Sequence, residues 1–189
     1  ITNHSTGKMG YALAEAAMLR GAEVTLISGP TAIEPPMFVN VIPIISAQEM
    51  FEKVATNATE NDIIIKAAAV ADYRPKEVCD EKIKKSDHDT EIELERTTDI
   101  LAYLGKNKGK TFLCGFSMET ENMLENSRRK LDKKNLDMIV ANNLKDKGAG
   151  FGVDTNLITI ITRDRELQLE LMSKQDAANC ILDEKNWKS

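Results

Sequence analysis

The feature that most constrains the fold is an apolar run that ends abruptly in polar residues. Residues 63–70 read IIIKAAAV, and residues 71–85 continue as ADYRPKEVCDEKIKK. The run does not alternate with polar residues, which predicts a strand covered on both faces, as in a parallel sheet. The small Ala67, Ala68 and Ala69 leave the backbone accessible to a ligand, and Asp72 follows at the ligand-binding edge of such a sheet. The alternative interpretation is a core strand followed by a solvated basic loop.

Strands and helices alternate along the whole chain. Strands are predicted at residues 24–27, 39–45, 63–70, 111–115 and 138–141, and an exposed strand at residues 92–94. Helices are predicted near residues 13–20, 46–56, 97–105, 122–133 and 173–182, and a hairpin over residues 157–161 and 166–171. This order predicts parallel pairing with right-handed crossovers. We therefore expect an α/β protein with a Rossmann-like three-layer fold, in which a mostly parallel central sheet carries helices on both faces and an antiparallel hairpin extension.

Length and composition narrow the class of protein. The 189 residues contain no domain linker and predict a single domain, whose first strand lies upstream of Ile1. Lys and Arg number 25 against 30 Asp and Glu, a net charge of -5 that argues against a nucleic-acid platform. No apolar run approaches the roughly 20 residues of a membrane span. The three cysteines form no C-x-x-C pair, which predicts reduced thiols in the cytoplasm, and no His/Cys cluster has metal-ligand spacing.

The loop NHSTGKMG before the first predicted helix could bind an anion. The backbone N–H groups of Ser5, Thr6 and Gly7 would lie at the positive end of the helix dipole. A helix cap by Ser5 or Thr6 is an equally good interpretation, since the loop is neither a P-loop nor G-x-G-x-x-G. Ser28 stands where a nicotinamide dinucleotide site usually places Asp or Glu, which argues against an NAD enzyme.

Further candidate residues follow the predicted strands. Phe116 comes directly after one strand and could stack on a nucleobase, although a lone Phe is more often a core residue. Lys130 and Lys134 are four residues apart and share one helix face, which is ordinarily a solvated face. Lys82 lies on a polar loop with two more lysines. Together, lysines around strand ends suit a polyphosphate and the stabilisation of charge in phosphoryl or nucleotidyl transfer.

Five segments together resemble one family. They are ITNHSTGKMG at residues 1–10, AAAVADYR at 67–74, EKIKK at 81–85, GFSMET at 115–120 and KNLDMIVANN at 134–143. In this order and spacing they resemble phosphopantothenate–cysteine ligase (phosphopantothenoylcysteine synthetase) of coenzyme A biosynthesis, and EKIKK is similar to the bacterial, CTP-dependent type.

The resemblance implies a two-step ligation. The carboxylate of 4′-phosphopantothenate attacks the α-phosphate of CTP, giving an acyl-cytidylate and pyrophosphate, and the amine of L-cysteine then displaces CMP. It also implies a homodimer and Mg²⁺ carried mainly on the triphosphate. A flavin-dependent phosphopantothenoylcysteine decarboxylase commonly precedes such a domain in one chain, and the sequence leaves open whether one does here.

The resemblance also implies roles for individual residues. Asn3 would hold the substrate carboxylate and the acyl-cytidylate, and Lys82 would stabilise charge on the phosphates. The Ser5–Gly7 backbone is a candidate phosphate contact. Thr98 stands where the family is expected to carry proline. The residues expected to contact the nucleotide are Ala67, Ala68, Ala69, Asp72, Lys82, Thr98, Asp99, Ile100, Leu101, Phe116, Lys130 and Lys134.

Two other functions compete with the ligase. A Rossmann-type NADP reductase is disfavoured because G-x-G-x-x-G is missing and because small residues, Ser28 and Gly29, end the second predicted strand. A non-catalytic nucleotide-binding module would bind CTP tightly without releasing pyrophosphate. The residues alone support a nucleotide-binding α/β protein, and the ligase activity depends on the resemblance.

Overall fold

The structure is a computed structural model that describes residues 5–78, 81, 91–119, 121–143 and 154–184. The helices are α1 (Lys8–Leu19), α2 (Ala47–Asn57), α3 (Ile100–Asn107), α4 (Met123–Lys133) and α5 (Lys174–Asp183), with a short 3₁₀ helix at Ala58–Glu60. The strands are β1 (Thr25–Ser28), β2 (Asn40–Pro43), β3 (Ile63–Lys66), β4 (Tyr73–Pro75), β5 (Leu94–Arg96), β6 (Phe112–Glu119), β7 (Met138–Asn143), β8 (Thr155–Asn156), β9 (Ile158–Thr162), β10 (Glu166–Gln168) and β11 (Met172–Ser173). Within these ranges, no helix is both long and apolar enough to cross a bilayer.

The central sheet has five strands in the order β10-β9-β7-β6-β3. β3, β6 and β7 are parallel, whereas β9 is antiparallel to β7 and pairs with β10 in the predicted hairpin. β1 and β2 form a separate parallel pair, and β4 pairs antiparallel with β5. The predicted mixture of a mostly parallel sheet with an antiparallel extension is confirmed.

Helices cover both faces of this sheet. Along β7, Met138 and Val140 contact a core built with α1 and α5, whereas Ile139 and Ala141 contact a core built with α2, α3 and α4. Successive side chains of a strand point to opposite faces, so an unbroken apolar strand requires a helix layer on each side. The three-layer arrangement predicted from the apolar runs is therefore confirmed.

Two strand ends differ from the sequence prediction and shape the site. β3 ends at Lys66, and residues 67–70, predicted as its continuation, lie outside the strand. β6 extends to Glu119 instead of ending at Gly115, because its residues 116–119 continue the ladder with β7. Phe116 is therefore a strand residue.

The helix starts follow local chemistry. The predicted capping box at the start of α2 is present, since the Ser46 hydroxyl accepts from the Glu49 N–H at 3.1 Å and the Glu49 carboxylate accepts from the Ile45 N–H at 3.0 Å. At the start of α1, neither Ser5 nor Thr6 is the cap. Gly7 holds that position with φ 79° and no side-chain cap hydrogen bond, which is the left-handed conformation that favours glycine.

Gly105 was predicted to end α3 but lies inside the helix, which continues to Asn107. A β-carbon at position 105 would lie 1.8 Å from the backbone oxygen of Lys134. The glycine is therefore required by the close approach of α3 to the turn after α4, and not by a left-handed helix stop. No local sequence pattern predicts this contact, because the two segments are distant in sequence.

Candidate functional site

A cleft lies at the carboxyl ends of β3 and β6. The two strands are paired in parallel with Lys66 opposite Gly115, so that Phe116 follows beside the end of β3. The start of α3 forms another wall, and the end of α4 contributes two lysines. This is the edge at which open α/β sheets bind ligands. The lining residues are Lys66, Val70, Ala71, Asp72, Thr97, Thr98, Asp99, Ile100, Leu101, Phe116, Lys130, Lys134 and Ile139.

The cleft brings together candidate residues from segments far apart in sequence. The predicted nucleotide contacts that line it are Asp72, Thr98, Asp99, Ile100, Leu101, Phe116, Lys130 and Lys134. Two hydrogen bonds join the first two of these segments: the Thr97 N–H donates to the Asp72 carbonyl at 3.0 Å, and the Thr97 hydroxyl donates to the Ala71 carbonyl at 2.6 Å. The turn after β3 is thereby held against the start of α3. Binding by these residues stays a prediction.

The other candidates lie beside the cleft or outside the described residues. Ala67 packs against the α1/α5 core, and a β-carbon at Gly10 of α1 would be in ordinary contact with it at 3.9 Å. The start of α1, and with it the Ser5–Gly7 loop, is thus close to the end of β3. Ala68 is exposed and Ala69 partly buried, and neither lines the cleft. Asn3 and Lys82 lie outside the described residues.

Asp99 and Lys134 form an ion pair across the cleft. Lys134 Nζ lies 2.9 Å from Asp99 Oδ2 and 3.2 Å from Oδ1. The Asp99 carboxylate also caps α3 by accepting from the Ala102 N–H at 3.0 Å. Burial alone raises the pKa of Asp99, but the bonds from Ala102 and Lys134 and the charge of Lys66 outweigh it and lower that pKa. Asp99 is therefore a carboxylate at neutral pH that organises the cleft wall.

Lys130 is held by a second carboxylate. Its Nζ lies 2.5 Å from Glu119 Oε1 and 3.3 Å from the Ser117 hydroxyl. Burial raises the pKa of Glu119, but hydrogen bonds from Lys130, Ser117 and Asn126 together lower it below its ordinary value. Glu119 was not predicted as a site residue because residues 116–119 were not assigned to the strand. Its position within the GFSMET segment was the available signal.

Lys66 is a further cleft residue that was not predicted from the sequence. It ends β3 and lines the cleft, and its Nζ donates to the Ala68 carbonyl at 3.0 Å. Burial, followed by repulsion from Lys134, lowers the pKa of Lys66, although Asp99 and Asp72 act in the opposite direction. A lysine inside an otherwise apolar run was the signal that could have identified it.

Phe116 lies between the core and the cleft. It packs against the α1/α5 core and also reaches the cleft. A partly buried aromatic ring beside several ammonium groups can provide an apolar surface for a base while the lysines contact anionic oxygens. The arrangement is therefore suited to a nucleotide.

The described residues do not form a metal-binding site of their own. Among them, no group of three or more His, Cys, Asp or Glu side chains is arranged to hold an ion. A magnesium ion that travels on a triphosphate needs few protein ligands, because phosphate oxygens and water fill most of its coordination sphere. The donor set of the cleft is compatible with an ion carried in this way.

The chain is similar to known proteins over nearly its whole length. Residues 1–186 match the model of the DNA/pantothenate metabolism flavoprotein C-terminal domain. The coenzyme A biosynthesis bifunctional protein CoaBC of Bacillus subtilis is 51% identical over 185 residues, which are 97% of this chain and 46% of that protein. A cysteine/cysteine sulfinic acid decarboxylase of an unknown prokaryotic organism is 48% identical over 185 residues, covering 96% of this chain and 52% of that protein. The chain spans about half the length of these curated relatives.

Solved structures give the same result for the fold. The crystal structure of the C-terminal domain of a coenzyme A biosynthesis bifunctional protein CoaBC is 44% identical, with a TM-score of 0.82, and covers 97% of this chain and 83% of that one. These matches confirm the family recognised from the five sequence segments and the Rossmann-like fold. The chain therefore belongs to the family of the DNA/pantothenate metabolism flavoprotein C-terminal domain.

Proposed function

We propose that this protein acts in coenzyme A biosynthesis as a CTP-dependent ligase that joins 4′-phosphopantothenate to L-cysteine. The observation that carries the proposal is the cleft, in which eight predicted nucleotide contacts from distant segments share one sheet edge in a member of this family. The names of the relatives, which place them in coenzyme A biosynthesis, support the pathway.

In the first step, a carboxylate oxygen of 4′-phosphopantothenate attacks the α-phosphorus of CTP. The bond from that phosphorus to the bridging oxygen breaks, and pyrophosphate leaves. Lys130 and Lys134 would bind phosphate oxygens, and Lys82 would stabilise the charge that develops on them. Asn3 would orient the attacking carboxylate by donating from its amide. Mg²⁺ bound to the triphosphate would neutralise part of the phosphate charge.

In the second step, the amine nitrogen of L-cysteine attacks the acyl carbon. The carbon–oxygen bond to the cytidylate breaks, CMP leaves, and the nitrogen loses a proton to become the amide. The contribution proposed for the protein is positioning, because bringing two bound reactants together removes most of the entropic barrier. Asp72 and the Ala67–Ala69 backbone would hold the cytidylate at the end of β3.

Several properties of the whole protein belong to the same proposal. We expect a cytoplasmic homodimer built from one ligase domain per chain. We also propose that this domain is fused to a flavin-dependent phosphopantothenoylcysteine decarboxylase. The relatives are named bifunctional proteins, which supports such a fusion.

The NADP reductase has less support. Ser28 ends β1, and its hydroxyl lies 3.1 Å from the hydroxyl of Tyr11 while donating to the Gly29 carbonyl at 2.9 Å. Residues 28–31, Ser-Gly-Pro-Thr, supply neither the carboxylate that binds the ribose of NAD nor the arginine that usually accommodates the 2′-phosphate of NADP.

The test is pyrophosphate release on mixing the protein with CTP, Mg²⁺ and 4′-phosphopantothenate, with and without cysteine. Release that requires phosphopantothenate and prefers CTP to ATP would support the acyl-cytidylate step. CTP binding with no release would favour a non-catalytic nucleotide-binding module. Lys82→Gln is expected to lose most activity while keeping its fold, whereas Lys84→Gln, two residues further along the chain, is the matched control. Unchanged turnover in Lys82→Gln would refute the role of Lys82.

A further inference from the structure

Lys66 differs from the other two lysines of the cleft in its charge balance. Lys130 is ion-paired with Glu119, and Lys134 with Asp99. In the part of the chain that the structure describes, Lys66 is not ion-paired with a carboxylate, and its hydrogen bond goes to the neutral carbonyl of Ala68. A cation that is partly removed from water is costly unless an anion or several acceptors surround it.

The charged groups that face Lys66 come from three elements. Lys134, which directly follows α4, repels it, while Asp99 at the start of α3 and Asp72 after β3 attract it. Burial and the repulsion together lower the pKa of the Lys66 amine. An additional oxygen acceptor in the cleft would therefore stabilise its charged form more than that of a lysine already paired.

The geometry of the amine leaves room for such an acceptor. A lysine ammonium has three N–H donors, and the bond to Ala68 at 3.0 Å uses one of them. Because Lys66 also lines the cleft, a ligand can be bound without breaking the bond that holds the side chain at the strand end.

We propose that Lys66 is a further nucleotide-binding residue, whose ammonium group donates a hydrogen bond to an oxygen of the bound nucleotide. This inference rests on the proposed function, since it requires a nucleotide in the cleft. The acceptor is a phosphate oxygen or an oxygen of the nucleoside, two sources of the same chemistry that binding measurements can separate.

The test compares cytidine, CMP and CTP binding to the wild-type protein and to Lys66→Met by calorimetry. The variant keeps an unbranched, flexible side chain that is one atom shorter and removes its hydrogen-bond donors. We expect the dissociation constant for CTP to rise on the order of 10- to 100-fold, the usual loss for a hydrogen bond to a charged group. A loss seen with CMP and CTP but not cytidine identifies a phosphate oxygen, and an equal loss with all three identifies a nucleoside oxygen. Lys110→Met, at an exposed position away from the cleft, is the control and should bind like wild type.

A second readout distinguishes ligand binding from mere support of the strand end. At alkaline pH the contact should raise the lowered pKa of Lys66, so CTP binding takes up protons. Binding enthalpies in buffers of different ionisation enthalpy should show less proton uptake in Lys66→Met than in wild type. Equal uptake together with equal affinity would overturn the proposal.

If Lys66→Met does not fold, chemical labelling of the wild-type protein decides. CTP should protect Lys66 from acylation, as read by peptide mass spectrometry, while Lys110 reacts at the same rate with and without CTP. Equal labelling of Lys66 in both conditions would refute its contact with nucleotide. CTP binding that depends on Lys66, without pyrophosphate release, would support the role of Lys66 and refute the proposed ligase activity. A wild-type protein that binds no cytidine nucleotide would overturn both.

Discussion

Replacing Gly105 by alanine tests the contact that fixes the wall of the cleft. The added β-carbon would lie 1.8 Å from the carbonyl oxygen of Lys134 and 2.8 Å from its carbonyl carbon. Both are backbone atoms, so no side-chain rotation relieves the clash, and α3 must move away from the turn after α4. The Asn135 side chain also donates to the Gly105 carbonyl at 2.9 Å, which ties the two segments together.

The sign of the change in the free energy of unfolding distinguishes the effect of this clash from the effect of helix propensity. At a free helix position, Gly→Ala stabilises by about 1 kcal/mol. Overpacking of a closely fitted contact costs about 1–3 kcal/mol, and more where backbone must move. We expect Gly105→Ala to be destabilised by about 2–3 kcal/mol. For a chain of this size, that corresponds to a fall in Tm of roughly 5–10 °C.

The assay is thermal and denaturant unfolding of Gly105→Ala beside Lys106→Ala. Lys106 is the exposed neighbour on the same helix, so its variant should stay within about 0.5 kcal/mol of wild type. Because α3 carries Asp99 and the displaced turn carries Lys134, Gly105→Ala should also weaken CTP binding. A Gly105→Ala protein as stable as wild type would show that the close approach does not exist in solution.

Further expectations concern titratable groups. Glu119→Gln should lower the dissociation constant for CTP several-fold in calorimetry, because it removes the anion that competes for Lys130, and unchanged or weaker binding would contradict this. The pKa values of Glu119 and Asp99 are lowered in the folded protein, so their contribution to stability is present above the unfolded pKa of about 4 and is lost as pH falls through the folded values. Melting curves should therefore show Tm falling below about pH 4, with a shallower fall in Glu119→Gln, and parallel curves would refute the assignment. Burial raises the pKa of the Cys114 thiol, so Cys114 should resist alkylation until the protein unfolds, and rapid labelling in the native protein would contradict its burial.

Much of the fold was predictable because its signals are local. The unbroken apolar runs require cover on both faces, and β7 indeed contacts a different helix layer on each side. The capping box at Ser46 and Glu49 set the start of α2, since its hydrogen bonds join residues only three or four positions apart. Strand ends were less predictable. The apolar run continues after Lys66, but the hydrogen-bonded pairing of β3 with β6 ends there. Pairing depends on the position of the neighbouring strand, which the local sequence does not specify.

The candidate site was predictable in its residues more than in its contacts. The resemblance to the family pointed to Asp72, Phe116, Lys130 and Lys134, and all of these line the cleft. Nothing in that resemblance indicated that Asp99 would bind Lys134, or that Glu119 would bind Lys130. Such pairs join residues that are 11 to 35 positions apart. Their distances are set by how the helices lie on the sheet.

The sequence by itself determined the alternation of strands and helices, the ligand-binding edge and the family, since each depends on residue type at short spacing. Only the tertiary structure decided which cations of the cleft are neutralised by carboxylates and that Lys66 is left with a neutral acceptor. It also decided that Gly105 is required by a backbone contact and not by a helix end. The physical reason is the same in both cases. Charge balance and close approach depend on distances between segments, and chain order does not specify these until the layers have packed together.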